Sequence, residues 1–347
     1  MSRARRARRI AAAAAFGGGG IAGLGVAGWG VLTVEARLAR RVIGRPFGVQ
    51  GPDASGVYTP AGDDPAGGDP VELLMLGDSS AVGLGADGPA ETPGAVIAAG
   101  LAALLERPVR LTVTAVVGAE SGHVAAQVDR ALELVPAPHV AVVMVGANDV
   151  THRIKPADAV RALDQVVRRL RDLGCEVVVG TCPDLGTIEP IAQPLRYLAR
   201  RLSRELAAAQ TIAVVEAGGR TVSLGDLMSV DVGTDPRSMF SADRFHPSST
   251  GYARVAQALL PSVRAALQDP ADTDQRPDLR RGEGVDDVAH AAARAVAAPG
   301  TEVSGTEVAG AARGPRGRWA VLLRRRREQP PVSPVTSSAD KAGVPGA

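Results

Sequence analysis

Three residues of this chain have the types and spacing of a nucleophile and of a base with its orienting group: a serine just after an apolar run, and an aspartate and a histidine before a late helix. Ser79 stands in Gly77-Asp78-Ser79-Ser80, directly behind the run 71–76. A run of that length reads as a strand, so Ser79 falls at its carboxyl edge, where a nucleophile is exposed. A Gly-Asp-Ser turn is also ordinary turn chemistry, and the tripeptide alone decides little. Asp243 and His246 lie in Asp243-Arg244-Phe245-His246-Pro247. On a helix-like turn, residues three apart share one side, so the carboxylate can hold one ring nitrogen while the other faces a substrate. The plainer alternative is an Asp-capped turn before the next helix. Gly118, after the run 109–117, offers a backbone N–H at close approach because it lacks a Cβ. Asn148, in Gly146-Ala147-Asn148-Asp149 after the run 139–145, offers a side-chain amide. With the N–H of Ser79 these make three donors for a developing oxyanion, although each alone reads equally well as a helix cap or a turn.

The elements that must position these residues follow from the apolar pattern. Strand-length runs at 71–76, 109–117, 139–145, 176–181 and 211–216 alternate with amphipathic stretches at 92–106, 121–134, 156–173 and 191–209, and a last helix is expected over 248–267. Strands apolar on both faces, separated by helices, imply a parallel sheet between two helical layers. Ligands of such sheets bind at the carboxyl ends of the strands, where Ser79, Gly118 and Asn148 are all expected.

Taken together, the Gly-Asp-Ser block after the first strand, the Gly after the second, Gly-x-Asn-Asp after the third and Asp-x-x-His-Pro before the last helix resemble the SGNH hydrolases, or GDSL-like esterases and lipases. The resemblance covers 71 to about 268 and implies an α/β/α three-layer sandwich with a five-stranded, mostly parallel, flavodoxin-like sheet. It maps the family's four named residues onto Ser79, Gly118, Asn148 and His246, with Asp243 completing a triad. Ser79, rather than the adjacent Ser80, takes the nucleophile position. The loop Cys182-Pro183-Asp184-Leu185-Gly186 looks like one found in bacterial members. One departure is visible: an Asn often precedes the second block's Gly, whereas this chain has Val116-Val117-Gly118. The implied chemistry is cleavage of an acyl ester through a serine ester, with no metal or organic cofactor. Acyl transfer or O-deacetylation on a cell-envelope glycan or lipid shares every catalytic residue. A non-catalytic anchored binding protein on the same fold is the alternative of another class, and a metal-dependent phosphoesterase lacks its histidine-rich motifs here.

Composition bounds the rest. Of 347 residues, 45% are hydrophobic and 22% charged, values of a packed globular protein. The net charge of +2 comes from arginine clusters at both ends, so the centre has no cationic stripe and nucleic-acid binding is not expected. Cys175 and Cys182 read as free thiols. His123, His139, His152 and His290 read as structural or surface histidines, and Asp184 as a turn former. Residues 1–45 begin MSRARRARR and continue in the uncharged run 10–34, which reads as a membrane anchor, with a cleaved secretory signal as the rival reading. The catalytic part then belongs outside the cytoplasm. Residues 46–70 read as a linker, 71–268 as the hydrolase domain, and 269–347 as a largely disordered tail with a short helix near 286–297. Within that tail, 319–323 beside Arg324 to Arg327 read as a solvated basic segment, with contact to an anionic membrane surface as the rival reading.

Overall fold

The computed structural model describes residues 30–44, 46–48, 50–60, 68–228, 236–267 and 288–304. Its frame is one sheet of seven strands: β1 (Gly56–Tyr58), β2 (Val71–Gly77), β3 (Val109–Val113), β4 (Val140–Met144), β5 (Glu176–Gly180), β6 (Arg220–Val222) and β7 (Glu302–Ser304). The spatial order is β1-β3-β2-β4-β5-β6-β7. The five central strands are parallel, while β1 and β7 run antiparallel at the two edges.

Alternation along the strands explains the layers. Leu73 and Met75 of β2 face one way and join Leu111 and Val142 under α3 (Pro93–Leu105) and α8 (Ser249–Leu267). Leu74 and Leu76 face the other way with Val143 and Val179, under α4 (Val124–Leu134), α6 (Pro156–Asp172) and α7 (Leu195–Glu216). Side chains that alternate with period two and are apolar on both sides need two helical covers, which is why the strand runs carry almost no charge. The remaining helices are α1 over 30–43, the short α2 (Ser79–Val82) and α5 (Ala147–Thr151), and α9 (Val288–Val296).

The three-layer α/β/α sandwich is the expected fold, with three corrections. The run 211–216 is not a strand but the last turns of α7, with Thr211 Oγ1 donating to the Ala207 carbonyl. A short apolar run cannot be assigned by periodicity alone, and here it continues a helix whose buried side already includes Leu206 and Ala207. The fifth parallel strand is β6, four residues further on. Second, residues 56–58, inside the stretch read as a linker, pair with β3. Third, within the stretch read as a tail, α9 packs through Ala291 and Ala295 against Val215 of α7, and β7 pairs with β6. Glu302 of β7 is buried there, accepting from Arg220 Nη1 at 2.6 Å and from Ser262 Oγ at 2.7 Å. The short helix expected near 286–297 is α9. Most of the run 10–34 and all of 305–347 lie outside the described residues. Among those described, no helix is long and apolar enough to cross a membrane.

Candidate active site

The site is assembled at the carboxyl ends of β2, β3 and β4. β2 has β3 on one side and β4 on the other, and chain connections leave in opposite directions around it, which opens a crevice at its end. Ser79 emerges there as the first residue of α2. Asp78 caps that helix, its Oδ1 accepting from the Ser80 N–H at 2.8 Å. As the first helical residue, Ser79 presents a backbone N–H that α2 does not itself use.

The strand-to-helix turn is held from below. Gly77 has φ +132° and lies so close to the Met144 carbonyl that a Cβ would overlap it, so only glycine fits. The buried side chain of Gln127 clamps this residue twice, accepting from Gly77 N and donating to Gly77 O, both at 2.8 Å. Gln210 on α7 makes a comparable clamp nearby, accepting from Cys182 N at 2.7 Å and donating to Val145 O at 3.0 Å. Neither glutamine was singled out in the sequence. The signal was present, since Gln127 shares the helical face of Val124, Val128 and Ala131, where a polar residue needs a buried partner.

Asp243 and His246 arrive on a loop of different geometry from the helix-like turn expected. Residues 241–246 form a tight turn closed by the Phe240–Pro247 bridge, with Ser241 N donating to His246 O at 2.9 Å. Arg244 takes φ +57°, a left-handed conformation that reverses the chain between Asp243 and His246. The turn meets the loop that follows Ser79 at Gly85, where a Cβ would come within 2.9 Å of both Pro247 O and Ser241 Oγ. That close approach brings residues 167 positions apart into contact: His246 Nε2 lies 2.9 Å from Ser79 Oγ. On the other side of the ring, Nδ1 lies 2.6 Å from Asp243 Oδ2.

The second carboxylate oxygen of Asp243 is fully employed. Oδ1 accepts from Ser241 Oγ, Phe245 N and His246 N, each at 2.9 Å. Burial pushes this carboxyl up, but the bonds from the His246 ring and from the two backbone N–H groups outweigh it, leaving it below the ordinary range. Asp243 is thus an anion whose orientation is fixed before any substrate arrives. Phe245 packs edge-on against the imidazole at a centroid distance of 4.8 Å.

Asp78 behaves in the opposite way. Enclosed completely, with only partial relief from its bond to Ser80 and from the His246 charge, its carboxyl is pushed up to about 6.

Gly118 and Asn148 lie on neighbouring loops. Gly118 has φ +81°, and the Asn148 Nδ2 donates to the carbonyl of Ala119, the residue after it, at 2.9 Å. Asn148 has a second amide hydrogen to offer. A buried tie joins the same two loops: Asp149 accepts from Ser121 N at 3.1 Å and from Ser121 Oγ at 3.0 Å. Nearer the surface, His152 Nδ1 lies 2.7 Å from Glu120 Oε1.

The other candidates fall away from the centre. His139 Nδ1 accepts from Glu72 N, His123 Nδ1 accepts from Glu120 N, and His290 sits on α9. Asp184 is buried and turns its own loop, accepting from Gly186 N at 2.7 Å and from Arg204 Nε at 2.8 Å. Cys175 and Cys182 are free, buried thiols; burial pushes Cys175 up to about 12 and Cys182 well above the ordinary value, so neither competes as a nucleophile.

An α/β/α sheet carrying a serine bonded to an Asp-held histidine at its carboxyl edge defines a class of acyl-group hydrolases, and comparison with known proteins names the family within it. The model of the GDSL-like Lipase/Acylhydrolase family matches residues 75–254, more than half of the chain. The GDSL-like esterase Rv1075c of Mycobacterium tuberculosis is 43% identical over 274 residues, which span 76% of this chain and 84% of that one. Among solved structures, TesA is 22% identical, with 56% of this chain and 99% of that one covered at a TM-score of 0.45. The extracellular lipase of Streptomyces rimosus is 18% identical, with 55% and 98% covered at a TM-score of 0.44. The chain belongs to the GDSL-like lipase/acylhydrolase family and is a serine-type hydrolase of carboxylic esters.

Proposed function

We propose that the chain cleaves acyl esters through a covalent serine ester, with Ser79 as nucleophile, His246 as general base and acid, and Asp243 as the group that orients and stabilises the imidazolium. The observation that carries this reading is the continuous pair of short bonds from Ser79 Oγ through the His246 ring to Asp243. His246 Nε2 takes the hydroxyl proton as Ser79 Oγ attacks the ester carbonyl, and the carbonyl electrons move onto oxygen. The N–H groups of Ser79 and Gly118 and the free amide hydrogen of Asn148 receive that charge. Collapse of the intermediate expels the alcohol, which leaves with the proton from His246. Water, deprotonated by the same ring, then releases the acid and restores Ser79.

The decisive experiment is covalent labelling. A fluorophosphonate should modify Ser79 in the wild type and nothing in Ser79→Ala, and hydrolysis of p-nitrophenyl esters should disappear with it. Modification at Ser80, or activity retained in Ser79→Ala, would overturn the assignment.

We further propose that residues 1–45 tether the enzyme to a membrane, with the catalytic part outside the cytoplasm and its substrate an acyl ester of an envelope lipid or glycan. The support is the uncharged run 10–34 behind a basic start. The full-length protein should then pellet with membranes and resist a high-salt wash.

A further inference from the structure

Among the described residues, few large apolar side chains stand in water, and four of them lie on one element. Val31, Val34, Leu38 and Val42 of α1 are each about half exposed. At about 100° per residue they fall within an arc of roughly 80°. The other exposed aliphatics, Val57, Leu104, Val116, Leu134 and Leu173, belong to separate elements and loops and are the scattered surface residues every protein carries. A stripe in helical register is different, because water contact along it is a continuous cost that something must relieve.

The helix itself is seated on the protein by its neighbouring side. Ala39 is buried in a cluster with Leu185, Ile188 and Ile191. The same cluster reaches Ala147, beside Asn148, and Phe245, beside His246. Glu35, the acidic residue of α1, is turned inward, its Oε2 accepting from Leu195 N at 2.9 Å. The outward side therefore holds no negative charge, and the exposed Arg37 and Arg41 border the apolar stripe on the edge away from the protein. A helix face edged with arginines and carrying no acid of its own is complementary to the headgroup layer of an anionic bilayer: the aliphatic groups enter it while the guanidinium groups stay among the phosphates. The position of the helix in the chain agrees, for the uncharged run 10–34 ends within its first turns.

We propose that α1 is a membrane-surface helix whose Val31, Val34, Leu38 and Val42 face lies in the headgroup region of an anionic bilayer, holding the loops of Asn148 and His246 beside that surface. Its substrate half rests on the hydrolysis proposed above: the esters within reach are acyl esters carried by lipids. The docking half does not depend on it.

The test uses the full chain with a fluorophore sensitive to polarity. Both native cysteines are buried, so Leu38→Cys and, on the exposed face of α6, Arg161→Cys can each be labelled selectively. With vesicles of phosphatidylcholine and phosphatidylglycerol, the Leu38→Cys label should shift to the blue and be quenched by nitroxide lipids, while the Arg161→Cys label stays aqueous. Protein that floats with the vesicles while the Leu38→Cys label remains aqueous would show that residues outside α1 hold it, and overturns the proposal. A blue shift without vesicles, accompanied by a doubling of mass, assigns the stripe to a second copy of the chain and also overturns it. The combined variant Val34→Asn, Leu38→Asn, Val42→Asn should lose about tenfold activity on a long-chain ester embedded in such vesicles, with p-nitrophenyl acetate hydrolysed as in the wild type. Equal loss on both substrates means that the face serves folding, and the proposal fails. A wild type inactive on both esters refutes the hydrolysis reading, while the fluorescence result still decides the docking.

Discussion

The two halves of the active site are built on different plans. Asp243 and His246 come from one tight turn in which the carboxylate is held locally: Asp243 Oδ1 gathers three donors from residues 241–246. Gly118 and Asn148 come from separate loops behind separate strands, and their relative position depends on cross-ties such as Asp149 to Ser121 and Asn148 to Ala119. A half made by one turn can keep its geometry when its neighbours shift. A half made by two loops holds only as well as the bonds between them, so substitution there should change rate and stability together, whereas substitution in the turn should change rate alone.

The largest test of that contrast is Asp243→Asn. The amide retains an oxygen for the three local donors but loses the charge that steadies the imidazolium, so kcat should fall by roughly 10³- to 10⁴-fold while Tm stays near the wild-type value. Thermal unfolding and kinetics on one preparation check both, and a large drop in Tm would mean that the turn is not self-supporting. Next comes Asn148→Ala, for which the loss of one proposed oxyanion donor predicts a fall in kcat of about 10²- to 10³-fold with KM little changed. Unlike the first, this variant should also be less stable by about 1 kcal/mol, because the Ala119 carbonyl loses its partner. Normal kcat in a destabilised protein would make Asn148 a turn former only.

Ser121→Ala touches no substrate and sharpens the comparison further. It removes one of the bonds that hold Asp149 and should lower kcat by roughly tenfold if the tie positions the donors. Combined with Asn148→Ala, the two losses should then be less than additive, since the second change finds the donor already gone. Full additivity would place Ser121 outside the oxyanion side.

A further effect concerns stability and pH rather than rate. The folded Asp78 carboxyl titrates at about 6, above its ordinary value of 3.8. The folded state then binds the proton more tightly than the unfolded chain, so this contribution is fully present below about pH 4 and is lost as pH rises through about 6. The loss is on the order of 3 kcal/mol. Asp78→Asn keeps an acceptor for the Ser80 N–H and should remove the pH-dependent part. Parallel stability curves for the two proteins between pH 4 and 7 would contradict this.

What was legible in the sequence follows the same division. Ser79, Asp243 and His246 could be named because each sits in a short block whose meaning is local, and the parallel core because runs such as 140–144 have no polar residue to turn toward water. The run 211–216 misled because β-branched residues near the end of a helix look like a strand when the helix before them is cut short. The edge strands β1 and β7 are three residues each, too brief to have a period. The cross-ties escaped because a hydrogen bond between residues 28 or 50 positions apart leaves no mark in either segment. Only the apolar surroundings of Gln127 and Gln210 on their helices hinted that their partners lay inside.

The family match ends at residue 254 and α8 at Leu267, which invites cutting the protein there to obtain a minimal enzyme. The last strand argues otherwise. Without β7, β6 would present its unpaired N–H and C=O groups to solvent, a ready template for strands of other molecules. Arg220 would also lose the carboxylate it is paired with in a largely buried position. A fragment ending at 267 should therefore be prone to self-association even if its active site forms, and one ending at 304 should stay monodisperse. The sheet thus extends beyond the recognisable catalytic unit, and its last strand covers an edge that would otherwise stand open to pairing.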